Sequence, residues 1–364
     1  MTRKILLLGG TGAMGVYLRE YLTQEPDTQV YVTSRTPHHS SPNIHYICAN
    51  AKDPTFLKEI LLRLKPDAIV DFMIWNTASF AEVCPLLLQN TSHYLFLSSY
   101  RVFAEENPLT ERSPRLLDVC QDEIYLKTDE YALTKARQEN ILRQSGKENW
   151  TILRPCITYS KNRFQLGCWE ADVVCFRSLQ GLPLVLPSEM LDKQTTMTWA
   201  GDTALLIAKL ILNPRSYAED FNLATAEHHT WREIAAYYAD ILGTHICEIP
   251  LRQYVKQFGP SYQLQYDRMF NRTLDNRKVL SVTGFSQEQM TPLKKGLVQE
   301  LTSFKKNPVY KQINIVQNAQ MDRLCGGRIA FTGLSFRDIL IYFSVRCQLL
   351  PVLRLVKRLI KRKP

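Results

Sequence analysis

Tyr131 and Lys135 stand four residues apart in Tyr131-Ala132-Leu133-Thr134-Lys135. On a helix that spacing puts a phenol and an ammonium on one face, about one turn apart. A cation so placed stabilises phenolate and draws the tyrosine toward the working pH range. Such a tyrosine can give or take the proton that accompanies hydride transfer at a carbonyl. With 17 tyrosines in the chain, about one such pair is expected by chance, and the bland alternative is a pair of helix-surface neighbours. Context strengthens it. Tyr94-Leu95-Phe96-Leu97-Ser98-Ser99 is an apolar strand that ends in two hydroxyls. Ser99 at the carboxyl end of a strand is placed to hydrogen-bond a carbonyl and polarise it. Ser98 is its rival, and a simple strand-end cap is the competing role.

A second group of residues binds rather than reacts. Leu6-Leu7-Leu8-Gly9-Gly10-Thr11-Gly12-Ala13-Met14-Gly15 carries glycines at 9, 12 and 15 directly after a buried strand and before an amphipathic helix. The chain must turn sharply there, bring backbone N–H groups to a pyrophosphate and pack the helix close to the sheet. The spacing therefore predicts a dinucleotide turn formed by Gly9, Thr11, Gly12, Ala13, Met14 and Gly15. At the end of the next strand an acidic residue would select NAD(H) and an arginine NADP(H). Ser34-Arg35 stands there, so NADP(H) is expected, with NAD(H) as the alternative and a solvated surface arginine as the bland role of Arg35.

The elements that must hold these residues alternate along the first third of the chain. Strands are expected at Lys4–Leu8, Gln29–Thr33, Ile44–Cys48, Ala68–Ile74 and Tyr94–Ser98. A helix is expected over Phe56–Leu64, stopped by Pro66. Strands separated by helices of this length imply right-handed crossovers and a parallel sheet. The expected fold is thus α/β: a Rossmann-type doubly wound parallel sheet, a smaller C-terminal substrate domain and a helical basic tail.

Composition fits one or two globular domains. The chain has 364 residues, 45% apolar and 22% charged, which argues against a mostly disordered or collagenous protein. No apolar run approaches the roughly 18 residues of a membrane span, and Ile5–Leu8 is too short for a signal-peptide core. Nine scattered cysteines without a Cys-x-x-Cys pair argue against a zinc ribbon or disulfide framework and suit a reducing cytoplasm. No metal site is expected: His228-His229 lacks an acidic or cysteine partner at ligand spacing and leads into a helix begun by Thr230, with Glu233 completing a capping box. The net charge of +10 is uneven. Residues 322–364 hold ten Lys or Arg against two Asp, a net +8, which leaves +2 for residues 1–321. That near-neutral body excludes a globally basic nucleic-acid-binding surface.

Taken in order, the strand, the glycine turn, Arg35, Ser99 and Tyr131/Lys135 resemble the extended short-chain dehydrogenase/reductases, the group of sugar-nucleotide epimerases, dehydratases and reductases. Ile152-Leu153-Arg154-Pro155-Cys156-Ile157-Thr158-Tyr159, Trp199-Ala200-Gly201-Asp202-Thr203, Phe221-Asn222-Leu223, Asp275–Lys278, Gly284-Phe285 and Thr291-Pro292-Leu293 continue the resemblance across about residues 3–303. The resemblance implies that Ser99, Tyr131 and Lys135 are the catalytic set, with Lys135 also on the nicotinamide ribose. It implies cofactor contacts at Gly9, Gly12, Gly15, Ser34, Arg35, Asn50, Phe72 and Pro155. Domains are expected at 1–165 with 195–225 (dinucleotide), 166–194 with 226–312 (substrate) and 313–364 (basic extension). Two departures bear on substrate. Phe72-Met73-Ile74-Trp75 is bulky where the family has small residues. Thr195 stands where an arginine often meets the substrate's pyrophosphate, leaving Arg177, Arg268 and Arg272 as substitutes or, more ordinarily, surface arginines. Trp75, Asn76 and Tyr100 follow strand ends and are candidates to line a pocket.

The implied activity is an NADP(H)-dependent ketoreductase or epimerase acting on a nucleotide-activated sugar, in surface-polysaccharide biosynthesis. A reductase of an activated or phosphorylated ketose is the nearest alternative. A non-catalytic member that binds RNA or a protein partner is the alternative of another class. A homodimer is common in the resembled family. In the tail, Leu349, Val352, Leu353, Val356, Leu359 and Ile360 form an apolar face beside Arg354, Lys357, Arg358 and Lys361, with Ile339–Val345 apolar upstream. Such a segment lies on a membrane surface rather than crossing it, which places the protein in the cytoplasm at the inner face of the membrane. Packing on the body, on a dimer partner or on an acidic protein are the other roles for this face.

Overall fold

A computed structural model describes residues 2–310 and 312–349. Seven parallel strands form the central sheet: β1 (Arg3–Leu8), β2 (Thr28–Ser34), β3 (Ile44–Cys48), β4 (Ala68–Asp71), β5 (His93–Leu97), β6 (Trp150–Pro155) and β7 (Glu219–Leu223). Their spatial order is β7-β6-β5-β4-β1-β2-β3. Register is set by apolar runs such as Leu7 opposite Val32 on one side and Val70 on the other. Successive residues of β1 feed opposite cores. Ile5 and Leu7 pack with Leu18, Leu22, Val30 and Val32, whereas Leu6 and Leu8 pack with Leu57, Leu61, Phe80 and Phe96. A strand buried on both faces must read as an unbroken apolar run, and this one does.

Helices α1 (Ala13–Gln24), α2 (Pro54–Leu64), α3 (Thr77–Gln89), α4 (Tyr131–Arg143) and α5 (Ala200–Leu210) cover the sheet. Local chemistry sets their ends. Asp53 caps α2 by accepting the Thr55 N–H, Pro54 takes the first helical position, and Lys65 closes the helix in the left-handed conformation just before Pro66. The fourth strand stops three residues short of the expected Ile74. Phe72 N–H makes the last bond to β1, and Asp71 Oδ1 then accepts the Met73 N–H at 2.8 Å, a turn that takes Met73 away from the sheet.

The chain divides into two compact units. Unit 1 comprises residues 1–162, 195–228 and 271–296; unit 2 comprises 163–194, 229–270 and 297–364. Residues 271–296, expected with the substrate segment, sit in unit 1 through specific bonds. Leu109 N–H donates to Thr273 O, Asn276 Nδ2 to Ala224 O and Lys278 Nζ to Glu219 at 2.7 Å. In unit 2, α6 (Trp231–Leu242) begins with the expected capping box between Thr230 and Glu233.

The segment from 313 onward was expected to be a separate extension. Its described part is built into unit 2 as α7 (Ile315–Cys325) and α8 (Phe336–Arg346). Ile315, Ala319, Ile329, Tyr342 and Val345 share a buried cluster with Phe176. Asp322 is its polar centre, accepting from Arg177 at 2.8 Å, the Ile329 N–H at 2.9 Å and the Tyr342 hydroxyl at 2.7 Å. Arg177 is therefore a buried structural cation and not a surface arginine. The tail helix expected from Leu349 to Ile360 falls, beyond Leu349, outside the described residues.

Candidate active site

The glycine turn is shaped by close approach. Gly9 has φ +72°, a conformation favouring glycine, and its N–H donates to Thr33 Oγ1 at 2.9 Å, which ties the turn to β2. A Cβ at Gly15 would collide with the backbone carbonyl of Gly10. Gly12, by contrast, opens onto free space and is the N-cap of α1, which has neither a side-chain cap nor an acidic residue in its first turn. The amino end of α1 thus presents backbone N–H groups and positive dipole, with no side-chain cap and no acidic residue in its first turn among the described residues. That arrangement fits a dinucleotide pyrophosphate. Thr11, Ala13 and Met14 are half-buried around it, Met14 packing on the core.

At the end of β2 the two candidates differ. Ser34 is buried and occupied, accepting the Thr36 N–H at 3.2 Å and bonding His38 Nε2 at 3.1 Å. Arg35 is exposed, the cation available at this edge. Asn50 is exposed and turns its Oδ1 to the Lys52 N–H. Phe72 is half-buried and Pro155 buried at the carboxyl ends of β4 and β6, and Phe72 N–H donates to Leu8 O at 2.9 Å. Met73 fills space beside Gly9, its Sδ 2.9 Å from where a Cβ would lie.

Ser99, Tyr131 and Lys135 converge at the carboxyl end of β5. Lys135 is buried, and its Nζ donates to Leu97 O at 2.6 Å, two residues before Ser99. The same ammonium lies 6.0 Å from the centre of the Tyr131 ring, and the Arg101 guanidinium lies 5.3 Å from it. Ser99 Oγ accepts the Arg101 N–H at 3.2 Å, which joins the serine's turn to the tyrosine's cation. Burial pulls the Lys135 ammonium from 10.5 down to about 8, against the opposing attraction of Asp71 and Glu139. Ser98, the rival serine, donates its hydroxyl to Glu139 at 2.6 Å inside the core.

Sequence reasoning missed the carboxylates that surround this set. Glu139, one turn beyond Lys135, is buried. It accepts from Arg154 at 2.8 and 2.9 Å, Arg115 at 3.2 Å and Arg143 at 3.4 Å. Its carboxyl is held down at about 2; Arg154 is the largest cause that opposes burial. Asp71 accepts from the Tyr94 hydroxyl at 2.7 Å and the Trp75 indole at 2.8 Å, yet burial raises its carboxyl. The available signal was an acidic residue at i+4 from Lys135, continuing the same helix face.

Several pocket candidates turn out to be structural. Trp75 is a core residue bound to Asp71, and Asn76 caps α3 by accepting the Ser79 N–H. Arg268 and Arg272 are buried, not on the surface. Arg268 donates to Gly167 O and Gln165 in unit 2. Arg272 donates to Ala104 O at 2.9 Å and lies 5.9 Å from the Tyr100 ring in unit 1.

Comparisons with known proteins agree with this fold. No curated protein matches the sequence. Three solved structures illustrate the shared fold. A dTDP-glucose 4,6-dehydratase from Bacillus anthracis in complex with NAD aligns at TM-score 0.65 and 14% identity, covering 84% of this chain and 97% of that one. The enzyme WbmH of Bordetella bronchiseptica with NAD+ aligns at 0.65 and 14%, covering 85% and 100%. A UDP-glucose 4-epimerase from Thermus thermophilus with NAD aligns at 0.62 and 19%, covering 84% and 100%. The model of the NAD dependent epimerase/dehydratase family matches residues 5–224. The chain belongs to that family, enzymes of the extended short-chain dehydrogenase/reductase type that use a nicotinamide dinucleotide.

Proposed function

We propose that the protein is an NADP(H)-dependent ketoreductase or epimerase of a nucleotide-activated sugar. The observation that carries the redox reading is the convergence of Ser99, Tyr131 and Lys135 at one strand end, with the open amino end of α1 in the same unit. When bound, the nicotinamide supplies or accepts hydride. Ser99 holds the substrate's carbonyl oxygen. Tyr131 gives that oxygen a proton in reduction and takes it back in oxidation. Lys135, desolvated and close to the ring, stabilises the phenolate that results. The Gly9–Gly15 turn holds the pyrophosphate, with Asn50, Phe72 and Pro155 around the bound dinucleotide. Arg35 meets the ribose 2′-phosphate, and the Ser34–Thr36–His38 cluster holds the adjoining loop. The nucleotide-sugar part follows what the dehydratase and epimerase of like fold are named for, and a role in surface-polysaccharide synthesis follows from the same analogy.

Titration with NADPH and NADH, repeated on Arg35→Ala and Tyr131→Phe, tests this directly. The expected result is NADPH binding that weakens by roughly tenfold or more in Arg35→Ala, the loss of one charge-assisted contact, and persists in Tyr131→Phe. Turnover of nucleotide-activated keto sugars should fall by about 10²-fold or more in Tyr131→Phe. Binding of neither nucleotide would end the redox reading; equal affinity for both in wild type and Arg35→Ala would end the NADP(H) assignment.

A further inference from the structure

Helix α8 is apolar on two opposite faces, and among the described residues only one is covered. Tyr342 and Val345 are buried in unit 2. Phe336, Leu340 and Phe343 are 76%, 52% and 40% exposed, and Cys347, at the helix's carboxyl cap, is exposed as well. At about 100° per residue, positions 336, 340, 343 and 347 lie within about 40° of a single line, opposite Val345. Arg337 flanks that line on one side and Arg346 on the other. The orientation is fixed from within: the Tyr342 hydroxyl donates to Asp322, and Arg346 donates to the Tyr342 oxygen at 2.7 Å. Single exposed apolar residues are ordinary, but three large ones in a row between arginines form a contact surface.

Charge indicates what that surface meets. The chain from 322 onward carries ten basic and two acidic residues, while residues 1–321 are nearly neutral. From Leu349 to Pro364 the sequence holds eight Leu, Ile or Val and six Lys or Arg, with no acid. A second copy would bring two strongly basic ends together, which like-charge repulsion opposes. An anionic bilayer satisfies both features: apolar side chains enter the headgroup boundary while arginines reach the lipid phosphates. We propose that the outer face of α8 lies on an anionic lipid surface, with the basic residues that follow supplying the electrostatic hold. Neither signal suffices by itself. Three side chains give weak partitioning, and each basic residue near an anionic leaflet strengthens binding about fivefold. The inference uses no residue of the active site and stands apart from the proposed activity.

The test is flotation of the full chain with phosphatidylcholine vesicles, with and without about one-third phosphatidylglycerol, at low and at about 0.5 M salt. The expected result is binding to anionic vesicles alone, weakened by salt. Partitioning should fall about tenfold or more in the combined Phe336→Ser, Leu340→Ser, Phe343→Ser variant. It should fall similarly when Arg354, Lys357, Arg358 and Lys361 are replaced by Gln. Hydroxyl-radical footprinting of the wild type needs no variant: Phe336 and Phe343 become protected when anionic vesicles are added. The proposal is overturned if the triple variant binds like wild type. It is also overturned if both phenylalanines stay reactive on bound protein, or if they are already protected without lipid. Protection without lipid that rises with protein concentration would assign the face to a second copy. Concentration-independent protection would assign it to the chain's own residues 350–364.

Discussion

Replacing Glu139 by glutamine isolates the polar centre behind α4, the helix that carries Tyr131 and Lys135. The carboxylate offers two oxygens to five donor groups from four residues. Oε1 takes Ser98 and Arg154 Nε, and Oε2 takes the second nitrogen of Arg154 with Arg115 and Arg143. An amide keeps one acceptor and turns an NH2 group toward three guanidiniums, so the substitution both removes a charge and introduces a mismatched donor. The size follows from the titration. Moving a carboxyl from 4.5 to about 2 corresponds to about 3 kcal/mol of stability, at about 1.4 kcal/mol per pH unit. Glu139 is fully buried, so solvent does not screen this.

The sign also follows. The folded value lies below the unfolded one, so the contribution is complete above about 4.5 and is lost as pH falls from there toward about 2. Urea unfolding of wild type and Glu139→Gln should differ by about 3 kcal/mol at pH 6, with the gap closing toward pH 2. Taking the difference cancels the other acids common to both chains. A pH-independent gap, or one under about 0.5 kcal/mol at pH 6, would refute the view that ionised Glu139 holds this cluster together. Because Ser98 bonds to Glu139 and Ser99 follows it, turnover should also fall, by roughly tenfold, one hydrogen bond's worth of positioning, with dinucleotide affinity retained.

Two other substitutions probe the same unit. Gly15→Ala places a Cβ against the Gly10 carbonyl; it should cost roughly 2 kcal/mol or more in thermal or urea unfolding and abolish dinucleotide binding measured by fluorescence. Lys135→Met should abolish turnover yet stabilise the cofactor-free protein at pH 7. The depressed lysine value means that folding is penalised below about 8 and relieved as pH rises toward 10.5. The gain, up to about 3 kcal/mol, should shrink over that interval in urea melts at pH 7 and 10.

Local signals in the sequence located most of the first sheet. The first, second, third and fifth strands run within one residue of their expected limits at each end, because apolar runs bounded by Gly, Pro or Ser determine them. The fourth was drawn too long because Phe72, Met73 and Ile74 continue the apolar run; only the bond from the Met73 N–H to Asp71 tells the strand from the turn. The Tyr131/Lys135 pair was legible because it is spaced on one helix, and Ser99 because a strand ends at it. Glu139 escaped because the partners that bury it lie on other elements: Ser98 is 41 residues away and Arg154 lies on β6, while the local Arg143 reads as an ordinary i,i+4 helix pair.

The three arginines show the general limit. A guanidinium enters the interior only where acceptors meet it, and each of these takes one from far along the chain: Asp322 for Arg177 at 145 residues' separation, Gly167 for Arg268 at 101, Ala104 for Arg272 at 168. The local partners, Asp267 beside Arg268 and Pro183 O six residues from Arg177, do not by themselves mark burial, so arginine reads as surface by default. Helix α8 is the converse case. Its apolar residues point in two opposite directions, so periodicity alone cannot say which face turns inward. The buried Tyr342–Asp322 bond settles that, and in doing so leaves Phe336, Leu340 and Phe343 facing out. A buried polar contact thus orients the helix, and the apolar face it leaves outside is the one proposed above to meet lipid.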